Sequence, residues 1–197
     1  WSSLKEIPNT VYNSERGCIA PGNMCVVKSG ILQGKILACF RSYKSGNSAT
    51  NYNYFLIYDP ATDKWSRMGS SIKISSADDE AHLVEIDANK FLMSIRDGNR
   101  VYAYVSIGGT ASSPTYSYTT VSSSMGLSVA CNSDIISYTD GTGVKYLIQS
   151  LPYESASDSY SHSTRSGNNI TTATSYNGGS SIVWTKRINI SDPLNSR

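Results

Sequence analysis

At 197 residues the chain is long enough to bury a substantial core, and its size suits one domain or part of a larger one. Only 16% of the residues are charged and 39% are hydrophobic, with much of the remainder Ser, Thr, Asn and Gly; 14 tyrosines stand out. This composition suits an all-β protein with many turns. A net charge of +2 supplies no electrostatic drive toward nucleic acid or a membrane surface, and no apolar run reaches bilayer-spanning length.

Trp1 to Ser14 reads as the end of a preceding unit, with Ile7-Pro8 closing a strand and opening a connection. Two strands follow, Met24 to Val27 and Lys35 to Phe40, with Ser29-Gly30 and Gly34 punctuating the turn between them. Ser42 to Asn51 is polar and reads as a loop. Tyr52 to Tyr58 is a strand, and Asp59-Pro60-Ala61-Thr62-Asp63 turns into Lys64-Trp65. Arg100 to Ile107 is a strand ending at Gly108-Gly109, and a Ser/Thr-rich connection follows it. Asp134 to Tyr138 and Val144 to Ile148 form a hairpin around Asp140-Gly141. Glu154 to Gly167 reads as a long polar loop. Thr171 to Tyr176 and Ile182 to Trp184 close a last hairpin around Asn177-Gly178-Gly179. No amphipathic helix is discernible.

The segment Asp78 to Arg100, DDEAHLVEIDANKFLMSIRDGNR, is the plainest hairpin in the chain. His82 to Ile86 alternates polar and apolar residues, Asp87-Ala88-Asn89-Lys90 supplies turn chemistry, and Phe91 to Ile95 returns. Glu80 precedes the first strand and Arg96 follows the second, so antiparallel pairing carries an acid and a guanidinium to one rim of the sheet. Loops and strand ends at such a rim are where function is built; the plain structural reading is a rim salt bridge.

The four cysteines, Cys18, Cys25, Cys39 and Cys131, form no C-x-x-C pair and lie far in sequence from His82 and His162, so the pattern does not read as a zinc site and no cofactor is expected. Cys18 and Cys25 could bridge a short loop or remain buried thiols. Asn169-Ile170-Thr171 and Asn189-Ile190-Ser191 match the N-glycosylation pattern. Together these features lean toward a secreted or cell-surface protein.

Strand-turn-aromatic units recur along the chain: Tyr58 to Trp65, Ser106 to Thr110, and Ser175 to Ser181 leading to Trp184. Polar turns capping hairpins at intervals of tens of residues favour a β-propeller over a sandwich.

These worn units resemble the Asp-box of sialidases, S-x-D-x-G-x-x-W, and further segments resemble that family in consistent order. Ala20-Pro21-Gly22-Asn23-Met24-Cys25 followed by Gly34-Lys35-Ile36-Leu37 resembles "GPGxGI…NGxLxxP". Glu80 to Glu85 leading to Arg96 resembles "NEXQVVEL-DG-LLLNXR" without a gap. Cys131 to Ile136 resembles "CQGSII", Leu147 to Pro152 resembles "LLFSNP", and Arg165 to Thr171 resembles "RXNLTXXXSXDXGXTW".

The resemblance implies about three blades of a six-bladed propeller and an exo-sialidase type of activity, releasing or transferring terminal sialic acid from glycoconjugates. In that family an arginine cluster grips the sugar carboxylate through charge-assisted hydrogen bonds. A tyrosine replaces the usual carboxylate nucleophile. By the resemblance, Glu80 matches the glutamate that activates this tyrosine, Arg96 the second arginine of the triad, and Arg165, across a Ser-Gly insertion, the third. Glu85 is expected on a strand face, structuring its hairpin; Arg100 and Arg41 could line the pocket without motif support.

The chain departs from the family's pattern at both ends. The first arginine and the acid/base aspartate normally lie in earlier blades, and the tyrosine normally follows in a "YSXLXXL" context. Trp1 is not a translation start. Residues 1–197 therefore read as one propeller segment, incomplete at both ends, whose partners are sialylated glycoconjugates and the remaining propeller segments. The alternatives are a non-catalytic propeller that binds glycans or proteins and a kelch-type propeller, against which the irregular Gly-Gly spacing argues.

Overall fold

In the computed structural model, residues 6–11, 16–43, 51–72, 80–97, 99–123, 133–153, 167–175 and 181–189 are described. They are all-β, with no helix. The strands are β1 (Arg16–Val26), β2 (Ile36–Tyr43), β3 (Asn51–Asp59), β4 (Lys64–Ile72), β5 (Ala81–Asp87), β6 (Lys90–Asp97), β7 (Asn99–Gly109), β8 (Pro114–Ser123), β9 (Asp134–Thr139), β10 (Lys145–Tyr153), β11 (Gly167–Ser175) and β12 (Ser181–Asn189).

They form three consecutive four-stranded antiparallel meanders, β1 to β4, β5 to β8 and β9 to β12. Each meander has the form of a propeller blade. Among the described residues, the sheets of the second and third are linked by a two-rung parallel ladder, Ser181 and Ile182 of β12 against Ser122 and Ser123 of β8. The first strands of the blades lie side by side, β1 against β5 and β5 against β9, whereas β4 packs near β8 at the outer edge. The polar turns of the first two repeat units fall at one place in their blades, between third and fourth strands, and the third unit begins on β11 and ends on β12.

The blades stack face to face. Between the first and second lies a core that includes Leu37, Phe55, Ile57, Met68, Phe91 and Met93. Between the second and third, Val84, Leu92 and Tyr102 meet Ile135, Leu147 and Trp184. The second blade is therefore covered on both faces, which is why Ala81 to Ile86 and Phe91 to Ile95 are buried without interruption. On the other face of the first blade Phe40, Tyr54 and Leu56 form a cluster to which Ile7 and Val11 add partial cover. On the third blade's outer face Ile136, Tyr138 and Val183 are exposed.

Several strands run further than the sequence pattern predicts. β1 begins at Arg16, β10 continues to Tyr153, β11 begins at Gly167, and Lys64-Trp65 opens a full strand. The Ser/Thr-rich stretch after Gly109 is not simply a connection: Pro114 to Ser123 forms β8, paired along its length with β7. It is the outermost strand of its blade, and Ser117 to Thr120 are exposed. Threonine and tyrosine hold an extended strand there by β-propensity and ladder hydrogen bonds, without the apolar alternation that betrays a half-buried strand. The loops expected over 42–51 and 154–167 lose their ends to strands, since Ser42 and Tyr43 belong to β2, Asn51 to β3 and Gly167 to β11. Residues 44–50 and 154–166, the expected turn at 177–179, Trp1 and Cys131 lie outside the described residues.

Candidate functional site

The β5–β6 hairpin builds the site. Its turn is Ala88-Asn89, with Asn89 in the left-handed region at φ 58°, a conformation asparagine tolerates better than most residues. The amide of Ile107 on β7 donates to the Asn89 carbonyl at 2.8 Å, which ties the turn to the next strand. A register shift between Glu85 and Asp87 then opposes Ala81 to Ile95 and His82 to Ser94. One step further out, the Arg96 amide donates to the Glu80 carbonyl at 3.0 Å, and Arg96 Nη1 donates to Glu80 Oε2 at 2.7 Å. Both side chains are partly exposed, at 29% for Arg96 and 16% for Glu80. A carboxylate and a guanidinium are thus joined at the blade rim, within reach of a ligand and only partly hydrated.

The next row down on the same face is His82, Ser94 and Tyr102, aligned across β5, β6 and β7. It faces the third blade. Gln149 of β10 is fully buried against it. Its Oε1 accepts from the Tyr102 hydroxyl at 2.5 Å, and its Nε2 donates to Ser94 Oγ at 3.2 Å and to Ser133 Oγ at 3.0 Å. Beside Ser133, Asp134 Oδ1 lies 3.8 Å from His82 Nδ1. The sequence pattern did not pick out Gln149: within β10 it is one polar residue among alternating neighbours, and its partners come from another blade.

Glu80 and Arg96 are thus brought together where the hairpin reading puts them. Arg100 stands opposite Arg96 in the β7 register, and Arg41 lies half-buried on β2 of the first blade. Arg165 lies outside the described residues. Glu85 does more than structure its own hairpin. It is buried and accepts from Lys28 N at 2.6 Å, Ser29 N at 2.9 Å and Ser29 Oγ at 2.6 Å, clamping the β1–β2 turn of the neighbouring blade. Asn89 Oδ1 adds a second clamp by accepting from Ile31 N at 2.7 Å.

Cys25 and Cys39 are free thiols, so Cys25 forms no bridge to Cys18. Burial pushes both thiols above their ordinary range. Among the described residues no group of three or more His, Cys, Asp or Glu side chains is placed to hold a metal ion, and no helix is long and apolar enough to cross a membrane.

A hollow of about 400 Å³ opens at the opposite rim, where Lys28, Glu85, Asp87, Ser137, Thr139 and Lys145 gather at the far ends of β1, β5 and β9. The length of β5, at ~3.3 Å per residue, sets it roughly 20 Å from Glu80. It is a separate feature from the Glu80–Arg96 rim.

No family model and no curated protein matches the chain. Solved structures do. A point mutant of the NanB sialidase from Streptococcus pneumoniae matches at TM-score 0.59 and 20% identity, over 90% of this chain and 24% of that one. The Hadza microbial sialidase Hz136 matches at TM-score 0.60 and 13% identity, over 88% of this chain and 30% of that one. The intramolecular trans-sialidase from Ruminococcus gnavus, in complex with oseltamivir carboxylate, matches at TM-score 0.58 and 17% identity, over 89% and 35%. The fold is therefore that of a sialidase-like partial propeller, and the chain spans about a quarter to a third of the length of these structures.

Proposed function

We propose that this chain is the Glu80- and Arg96-bearing part of an exo-sialidase, which releases or transfers terminal sialic acid from glycoconjugates outside the cell. The observation that carries the reading is the Glu80–Arg96 pair, joined at 2.7 Å on a blade rim in a fold shared with sialidases. Sialic acid presents a carboxylate at its anomeric carbon. A guanidinium offers five N–H donors in a planar fork, so contact with Glu80 and a grip on a substrate carboxylate are compatible on one side chain.

A carboxylate nucleophile would be repelled by that substrate group, whereas a tyrosine activated by a glutamate would not. In this reading Glu80 is the base that draws the proton from the tyrosine, and Arg96, with Arg165, orients the sugar. The tyrosine, the acid/base aspartate and the first arginine belong to segments that complete the ring. The exposed Ile136, Tyr138 and Val183 on the third blade support this, because an apolar face of that kind is normally covered.

The test is a fluorogenic sialoside assay on the complete protein that carries this chain, alongside its Arg96→Ala variant. Turnover that collapses in the variant, with the fold intact, supports the assignment. Sialoside binding without turnover would favour a non-catalytic glycan-binding propeller. Near-normal turnover in the variant would remove Arg96 from the site.

A further inference from the structure

We propose that Gln149 is a positioning residue for the Glu80–Arg96 pair, holding the pair's supporting row against the third blade. The proposal rests on the reading of that pair as the ligand-gripping site. Gln149 is completely buried, where an amide side chain is costly unless its polar atoms are satisfied. Its three hydrogen bonds, to Tyr102, Ser94 and Ser133, join two blades.

Ser94 and Tyr102 are register partners on β6 and β7, and Ser94 is also partnered with His82 on β5. Side chains two residues apart on a strand share a face. His82 and Ser94 therefore lie one step below Glu80 and Arg96, on the face that meets Gln149.

Adhesion between the blades does not require this amide. The next row inward, Val84, Leu92 and Tyr104, already packs with Ile135 and Leu147 in an apolar core. An apolar side chain of similar volume at 149 would keep the blades together. What the amide adds is direction: its donors and acceptor are satisfied in one arrangement of Ser94, Tyr102 and Ser133, whereas dispersion contacts tolerate sliding. A rim guanidinium two residues beyond Ser94 inherits that orientation, and a displacement of an ångström in an orienting group is enough to weaken a site.

The experiment compares Gln149→Met and Tyr102→Phe with the parent in the complete protein. It reads sialoside kinetics, melting temperature and the Arg96 Nε–Hε resonance in arginine-labelled material. In Gln149→Met the expected result is KM raised about tenfold with kcat within about twofold, the signature of lost binding alone, together with a shifted or broadened Arg96 resonance. Tyr102→Phe should move the same quantities in the same direction and carries the test if Gln149→Met does not fold. A variant that folds and leaves both KM and the Arg96 resonance unchanged overturns the proposal, as does a fall in kcat and melting temperature at constant KM. If the parent neither binds nor cleaves sialosides, the functional reading fails on that result alone. The Arg96 resonance in the variants then decides the positioning role by itself.

Discussion

Arg96 meets Glu80 twice: its guanidinium donates to the carboxylate at 2.7 Å and its amide to the carbonyl at 3.0 Å, although sixteen residues separate the two. The backbone bond continues the β5–β6 ladder one residue beyond the start of β5, so the hairpin register itself aligns the two side chains. In the proposed site the pair serves ligand capture more than stabilisation. A partly buried ion pair at a rim is worth on the order of 1 kcal/mol to the fold, whereas in the proposed site a guanidinium that meets a substrate carboxylate would contribute several times more.

Replacing Arg96 should separate these two scales. Arg96→Ala should cost about 2–5 kcal/mol of substrate interaction, roughly a 30-fold or larger loss in kcat/KM, while the urea midpoint moves little. Arg96→Lys should recover only part of the loss, because an ammonium lacks the planar fork. Steady-state kinetics and urea denaturation of the same samples check this.

Glu85 should behave in the opposite way. Its carboxylate accepts two backbone amides and a hydroxyl from the neighbouring blade, so Glu85→Ala leaves Lys28 N and Ser29 N without their acceptor at the edge of the hollow. A destabilisation of about 1–3 kcal/mol is expected, with Glu85→Gln intermediate because its amide oxygen can still accept. Sialoside KM should not change, since the length of β5 separates this clamp from the Glu80 rim. Denaturant titration combined with kinetics would show the split.

Gly30 and Gly34 form a matched pair for testing backbone strain. Both adopt the left-handed conformation, at φ 83° and 82°. A Cβ on Gly30 would lie 2.2 Å from Asn89 Oδ1, whereas a Cβ on Gly34 would meet nothing within 4 Å. Gly34→Ala should therefore cost only the backbone term, about 1–2 kcal/mol. Gly30→Ala should cost clearly more, because it also displaces the Asn89 bond to Ile31. Equal shifts in the two midpoints would show that the Asn89 contact contributes nothing.

Cys39 is buried in the core between the first two blades, and burial raises its thiol well above the ordinary range. A raised thiol pKa means less thiolate at any given pH. Cys39 should therefore resist a maleimide between pH 7 and 8 in the folded protein and react at once in denaturant. Cys25, half-buried and also raised, should react slowly and faster as the pH climbs. Peptide mapping by mass spectrometry distinguishes the two sites.

The sequence by itself determined the elements whose physics is local. Turn residues such as Asn89 and Asp140 mark hairpins because their side chains suit tight or left-handed backbone. Asp140 Oδ1 accepts from Thr142 N, Thr142 Oγ1 and Val144 N within its own loop. The turn residues between 82–86 and 91–95 mark a hairpin that carries Glu80 and Arg96 to one rim, while the register shift between Glu85 and Asp87 that sets them opposite each other belongs to the structure. Recurrence of strand-turn-aromatic units at intervals of tens of residues was enough to point to blades.

Tertiary structure alone decided the rest. Pro114 to Ser123 is a strand because β7 offers it a ladder, a fact carried by the partner and absent from its own Ser/Thr pattern. Glu85 and Gln149 look like ordinary polar positions along their strands. Each acquires its role from groups on another blade, fifty-seven residues away for Glu85 and Lys28 and forty-seven for Gln149 and Tyr102. Hydrogen bonding is a short-range, directional interaction, so what such a group does depends on which blade faces it, and blade stacking is fixed only when the chain has folded.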